Sequence, residues 1–273
     1  MKIVIFLLVA VVVFAVFYIV SLRGRTGHTD WQSFRGYYFA HRGLHNNYTA
    51  PENSMAAFRR AKQKGYGVEL DVHLMADGNL AVIHDSSLLR TAGVDVKIEE
   101  LKTEELENYY LEGTAENIPT FSEVLYYFNG SVPLIIEIKS VGKNFSQVSK
   151  RVSEQLDGYN GAYCIESFDP RVVYWFKKYR PEVIRGQLSE NYFKNDKSTL
   201  SFPLKLLMTG LSTNFLTKPD FVAYRFSDRY HISYRICRKL WKLQGVGWTI
   251  TNDKDIKNAN QEDILPIFEK IIP

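Results

Sequence analysis

From Tyr37 onward, short β-rich runs alternate with helix-like segments. The runs are YYFAHRG, GVELDVHL, LAVIHD, PLIIEIK, AYCIESF, IRGQLS, FVAYRF, GVGWTIT and ILPIFE. Most are separated by stretches with helical spacing, such as ENSMAAFRRAKQKG, SQVSKRVSEQLDG, PRVVYWFKKYR and HISYRICRKLWKLQG. Such alternation through one domain demands a parallel sheet covered by helices, and the expected fold is a (β/α)8 TIM barrel. Nine strands are one too many. The link Met75-Ala76-Asp77-Gly78-Asn79 is far shorter than the dozen or so residues a parallel crossover needs. Asp77-Gly78 is instead a hairpin signal, so LAVIHD is expected to return antiparallel to strand two. Pairing Ala76 with Asn79 would set Asp71 opposite His84. Residues 88–116 and 190–217 are then excursions from the barrel.

Ahead of the barrel, residues 3–20 read IVIFLLVAVVVFAVFYIV, an uncharged run with no polar face. Its length reaches the ~18–20 residues that cross a hydrocarbon core as a helix. A cleaved signal peptide is the rival, but SLRGRTGHTD offers no small-x-small cleavage site. The expected organisation is a transmembrane anchor at 1–22, a flexible linker at 23–36 and a catalytic barrel at 37–273. Lys2 lies on one side of the run and Arg23, Arg25 and Arg35 on the other, which leans the barrel toward the cytoplasm. A net charge of +4, with no basic stripe, gives no support to nucleic-acid binding. Cys164 and Cys237 show no zinc spacing and read as buried free thiols.

The chemistry concentrates on two strands. In GVELDVHL, Glu69, Asp71 and His73 alternate with Val68, Leu70 and Val72. Period two places the acids on one face, and in a barrel the aliphatic face packs on the helices. The acids then point inward, where buried carboxylates repel unless a cation lies between them. PLIIEIK repeats the pattern with Glu137 and Lys139 opposite Ile136 and Ile138. Three converging carboxylates suit Ca2+ or Mg2+. His41 ends the first strand and His84 ends LAVIHD, where they can exchange protons with a substrate. Arg42 offers a planar fork for a phosphate oxygen, and Gly43 allows a sharp turn. His45 and His73 stay ambiguous; His28 and His231 read as surface or packing residues.

These residues carry a resemblance. The stretch AHRGLHNNYTAPENSMAAFRRAKQKGYGVELDVHLMADGNLAVIHDSSLLRTAG resembles the signature of the glycerophosphodiester phosphodiesterase family, and IPTFSEVL, IEIK, SFDP and GWTIT continue it. That family has a barrel akin to phosphatidylinositol-specific phospholipase C. The resemblance implies His41 and His84 as the acid/base pair and Glu69, Asp71 and Glu137 as metal ligands. It implies Arg42 on the phosphate, support from Glu52 and Asn53 of the PEN triplet, and positive charge from Lys139. Phe168 and Trp248 match aromatic positions that line an alcohol-side pocket, or else pack the barrel. Two places depart from the pattern: SSLLRT after the HD pair, and ILPIFEK where a Gly-Ile-Ile-Thr-Asp run is usual.

The expected activity is metal-dependent hydrolysis of a glycerophosphodiester to glycerol 3-phosphate and an alcohol. His41 is read as proton acceptor and His84 as donor. Direct attack by water and a cyclic phosphate intermediate both remain open. One rival is a phospholipase C- or D-like activity on membrane lipids or lysolipids, which an anchor would favour. Another is a non-catalytic membrane scaffold or phosphate-binding barrel, against which both histidines stand.

Overall fold

The computed structural model of the chain describes residues 1–25, 31–46 and 48–273. Helix α1 (Lys2–Ser21) comes first, then β1 (Phe39–Ala40), α2 (Met55–Gln63), β2 (Gly67–Leu74) and β3 (Leu80–Val82). The first excursion holds α3 (Leu89–Ala92) and three 3-10 turns, ahead of α4 (Phe121–Phe128) and β4 (Leu134–Ile138). Next follow α5 (Phe145–Leu156), β5 (Tyr163–Ser167), α6 (Pro170–Tyr179) and β6 (Arg185–Ser189). The second excursion carries α7 (Phe202–Thr209) and α8 (Asn214–Thr217) and leads to β7 (Phe221–Arg225). Helix α9 (Ile232–Lys239), β8 (Gln244–Ile250), α10 (Asp253–Gln261) and β9 (Ile264–Phe268) complete the chain.

The strands pair in the order β1-β9-β8-β7-β6-β5-β4-β2, and β1 pairs again with β2, so eight parallel strands close a barrel. Strand β3 hangs antiparallel on β2. Local chemistry marks the helix starts. Ser54 accepts from Ala57 N at α2, and Thr120 forms a capping box with Glu123 at α4. Asp169 and Asn252 cap α6 and α10. Each such cap contributes ~1 kcal/mol.

The hairpin exists, but its register differs from the expected one by one residue. Met75, not Ala76, pairs with Asn79: Met75 N donates to Asn79 O at 2.9 Å and Gly78 N to Met75 O at 3.1 Å. Gly78 has φ +82°, which makes this a three-residue loop with a left-handed third position. Asp77 stabilises it by accepting from Asn79 N at 3.0 Å and Thr103 N at 2.9 Å. Because side chains alternate, the slip matters. Ile83, not His84, lies across from Asp71, with Ile83 N donating to Asp71 O at 3.1 Å.

Inward and outward faces separate as period two requires. Val68, Leu70, Val72, Ile136 and Ile138 join the layer between barrel and helices. Phe39, Ile135, Cys164, Phe221, Ala223, Val246 and Ile267 form a separate cluster inside the barrel. Cys164 and Cys237 are both buried free thiols. The connector expected to be a loose stem takes part in this interior: Phe34 is buried, stacks on Phe39, and contacts Trp31, whose ring meets Phe221 edge-on at 5.4 Å. Residues 31–36 thus help to seal the foot of the barrel. His28 lies outside the described residues.

Helix α1 is long and apolar enough to cross a membrane, and its apolar side chains are exposed. Its last turn, in contrast, docks on the barrel. Tyr18 Oη donates to Gly210 O at 3.0 Å and lies 2.7 Å from Ser233 Oγ, while Trp241 Nε1 donates to Ile19 O at 2.8 Å.

Candidate active site

At the carboxyl ends of the strands the barrel interior changes character. Register pairs Asp71 of β2 with Glu137 of β4, and Glu137 with Glu166 of β5, so three acids lie side by side. One ligand oxygen each from Glu69, Asp71 and Glu137 fall within 4.8 Å of one another, and all three residues are buried. Lys139 Nζ bridges this group, 2.9 Å from Asp71 Oδ1 and 2.7 Å from Glu137 Oε1.

The loop after β1 brings a second cation. Arg42 takes φ 53° and Gly43 φ 79°, a sharp turn in which a Cβ on Gly43 would come within 2.9 Å of Ala57 Cβ. The turn aims Arg42 N–H at Glu69 Oε2 (3.0 Å) and the guanidinium at Glu52 Oε1 (2.9 Å) and Asp71 Oδ2 (3.4 Å). The PEN triplet therefore works from behind. Glu52 holds Arg42, and Asn53, itself at φ 55°, donates from Nδ2 to Asp71 Oδ2 at 2.8 Å.

Electrostatics follow from burial and neighbours. Burial pushes the Glu69 carboxyl well above the usual range, and Asp71 and Glu137 push it further. Glu137 is raised by burial against the pull of Lys139. Asp71 goes the other way: burial would raise it, but Lys139, His84, Arg42 and Asn53 hold it well below the usual value. Lys139 is kept protonated by Asp71 and Glu137 in spite of burial. Glu166 Oε2 is buried with no hydrogen-bond partner among the described residues. Lys139 and Arg42 leave this acid cluster under-neutralised. Its hard oxygen donors fit a divalent cation.

Both expected histidines reach this rim, and each is steadied by a carboxylate. His41 Nδ1 lies 2.8 Å from Glu269 Oε2, and His84 Nδ1 lies 2.6 Å from Asp85 Oδ1. With Nδ1 engaged, Nε2 of each ring is the nitrogen left for proton exchange. Asp71 works to raise the His41 pKa, and His84 works to lower those of Asp71 and Glu137, so the pair flanks the acid cluster. Burial is the largest influence on His41 and lowers its pKa, although Glu269 works to raise it. The His41 contact holds Glu269 at about 2. His41, His45 and Glu269 also bring ligand atoms within 4.8 Å of one another, but two nitrogens and one oxygen suit a hard cation less well than the acid trio.

Phe168 and Trp248 meet edge-on at 5.5 Å, with the Arg225 guanidinium 5.4 Å above the Trp248 ring, forming one aromatic wall at the mouth. His73 has a structural place: Nδ1 lies 2.7 Å from Glu99, and Nε2 lies 3.0 Å from His84 O. His231 precedes α9, and its Nδ1 lies 3.0 Å from Ser233 Oγ. The sequence reading missed Glu269, Asp85, Glu166 and Arg90. Arg90 binds both oxygens of Glu52 at 2.6 and 2.8 Å and Asp85 at 2.5 Å, which links the two histidine-bearing loops. Glu166 had a visible signal, since AYCIESF alternates as PLIIEIK does. Glu269 lay inside the unusual ILPIFEK run.

A barrel carrying inward carboxylates, two anchored histidines and two cations at its carboxyl end is suited to hydrolysing phosphate esters. Residues 41–223 match the glycerophosphoryl diester phosphodiesterase family, and the chain belongs to that family. A glycerophosphodiester phosphodiesterase of Bacillus altitudinis is 35% identical over 242 residues, covering 84% of this chain and 92% of the relative. A human lysophospholipase D is 35% identical over 142 residues, covering 47% of this chain and 43% of that protein. The fold is similar to that of an Oleispira antarctica phosphodiesterase solved with its product sn-glycerol-3-phosphate, with TM-score 0.70 at 22% identity over 87% of this chain and 94% of that one. The chain is accordingly an enzyme, a glycerophosphodiester phosphodiesterase.

Proposed function

We propose that this enzyme hydrolyses glycerophosphodiesters to glycerol 3-phosphate and an alcohol, with His41 and His84 moving protons on either side of phosphorus. The observation that carries this reading is the pair of histidines, each tied at Nδ1 to a carboxylate, beside one buried acid cluster. His41, with its pKa lowered by burial, is neutral at pH 7 and suited to accept a proton at Nε2. His84 is assigned the opposite role, delivering a proton to the leaving alkoxide. Lys139 and Arg42 would face the phosphoryl oxygens, Arg42 steadied by Glu52 and Lys139 by its two acids. Glu69, Asp71 and Glu137 would hold a divalent cation, Ca2+ or Mg2+, positioned by Asn53 acting on Asp71. When bound, that cation supplies Lewis-acid charge stabilisation at phosphorus. Phe168 and Trp248 would receive the alcohol group. The glycerol-3-phosphate product of the Oleispira relative and the name of the Bacillus relative support the substrate class.

The apolar, exposed α1 supports assigning residues 1–22 as a membrane anchor ahead of the barrel, with the flanking Lys and Arg favouring a cytoplasmic barrel. That anchor, with the likeness to a human lysophospholipase D, favours lysolipids as a second substrate class. The test is turnover of a panel of soluble glycerophosphodiesters and vesicle-borne lysolipids, with and without chelator, measuring the glycerol phosphate released. Full turnover in chelator would reject the metal assignment. No turnover of any diester would reject the hydrolase reading.

A further inference from the structure

The way α1 leaves the barrel fixes which end of the barrel faces its surroundings. Arg25 N donates to Pro219 O at 2.9 Å, near the foot of β7. Three residues earlier, Leu22 O accepts from Asn214 Nδ2 (3.3 Å) and Cys237 Sγ (3.6 Å). One turn earlier again, Tyr18 meets Gly210, at the end of α7, and Ser233, at the start of α9. Helix α9 runs from the mouth of β7 down to the foot of β8, and α1 runs parallel beside it, with Tyr18 level with Ser233 and Leu22 level with Cys237. Residues 2–17 then project past the catalytic mouth, not past the foot.

The excursion after β6 sits at the same level. Ser189 Oγ donates to Met208 O at 2.7 Å and Tyr224 Oη to Thr209 O at 3.1 Å, which fixes the end of α7 above the strand ends. Its side chains face outward: Phe202 is 69% exposed and Leu206 59% exposed, with Leu204 and Phe193 exposed beside them. Phe193 and Phe202 rings meet at 5.6 Å. Across the docked turn of α1, Tyr230 and Ile232 are exposed as well. Apolar surface gathered in this way rarely faces water in a soluble monomer. Lys197 and Lys205 lie among these residues.

We infer that this rim is a second membrane contact, with α7 lying in the headgroup–acyl boundary of a phospholipid bilayer and the active-site mouth opening onto it. The inference rests on the anchor reading and deepens it. With its last turn docked on the barrel, α1 has sixteen residues free, a length of about 24 Å at ~1.5 Å per residue. A hydrocarbon core is ~30 Å thick. The shortfall draws the rim into the interface, where α7 presents Phe and Leu to acyl chains and lysines to anionic headgroups.

Fluorescence quenching on the full chain in phosphatidylcholine/phosphatidylglycerol vesicles tests this. Single cysteines replace Phe14 in the anchor, Leu206 in α7, or Tyr126 near the foot end of α4; the native cysteines are buried. Brominated lipid should quench a probe at 206 to an extent comparable with 14 and leave 126 unaffected. Quenching at 14 without 206 overturns the inference and leaves the anchor standing. Quenching at none removes the anchor and the inference together, and quenching at 126 means that the barrel does not meet the membrane mouth first. As a second readout, Phe202→Glu with Leu206→Glu should reduce turnover of vesicle-borne lysolipid while leaving soluble glycerophosphocholine turnover unchanged. Equal effects on both substrates would also overturn it.

Discussion

At the foot of the barrel, Phe39, Ile135, Cys164 and Ile267 fill the interior, joined by Phe34 from the connector. Two residues further along the same segments, His41, Glu137, Glu166 and Glu269 occupy the interior instead. The foot gains from removing apolar surface from water, at ~25 cal/mol per Å2. The mouth works against that gain. It buries acids that repel one another, raising Glu69, Glu137 and Glu166. The division teaches that stability and chemistry are layered within each strand. The foot and the outer helix layer hold the barrel closed, and the mouth is free to be electrostatically strained.

That division should break cleanly under mutation. Replacing His41 or His84 with Ala should lower turnover by ~10²–10⁴-fold, the usual value of a positioned proton-transfer group. Thermal stability and metal affinity should hardly change. The double variant should be scarcely slower than either single one, because groups acting as a unit are non-additive; near-normal turnover in both singles would end the acid/base assignment. Phe221→Ala at the foot should do the reverse. A buried Phe-to-Ala change costs ~3–5 kcal/mol, so denaturant unfolding should shift strongly while kcat per folded molecule stays within a few-fold. A foot variant that loses turnover without losing stability would show that the two layers are coupled.

The layering also explains what the sequence could disclose. Strand alternation, the short Met75–Asn79 link and the repeated acid–aliphatic pattern are local signals, and they were enough to give the closed barrel, its hairpin and the clustering of Glu69, Asp71, Glu137 and Lys139. The hairpin register was not legible, because one left-handed residue at Gly78 decides between a two- and a three-residue loop. Glu269 and Arg90 were not legible for another reason: their partners, His41 and Glu52, are 228 and 38 residues away. The docking of Phe34 and Tyr18 likewise depends on surfaces assembled from distant segments.

Glu269 sharpens the comparison at the top of β9. Its carboxylate orients His41 and favours the protonated ring. Glu269→Gln should lower the rate, because the carboxylate that orients the ring and stabilises its protonated form is lost; the matching change behind a triad histidine costs up to ~10⁴-fold. It should also move the acid limb of kcat/KM to lower pH, since removing the negative charge lowers the His41 pKa further. In the unaltered enzyme that limb should already lie below the ordinary histidine value of ~6.5. A limb that moves to higher pH in the variant would show that Glu269 does not act through His41.

The smallest effect is expected at Glu166, the interior acid with no assigned part in the reaction. Burial raises its pKa well above the ordinary value, and Glu137 and Asp71 raise it further. A carboxyl raised on folding is neutral in both states below its unfolded pKa of ~4.3. Above that pH the unfolded chain releases the proton and the folded one retains it, so the site destabilises the fold progressively as pH rises toward the folded pKa. Glu166→Gln keeps the shape and removes the titration. Measured without metal, the variant and the parent should unfold at similar temperatures near pH 4. The variant should become the more stable of the two as pH rises to 7, with turnover changed only a few-fold. If the parent is the more stable at pH 7, Glu166 is ionised and paired in the folded enzyme, and the mouth is better neutralised than Lys139 and Arg42 alone allow.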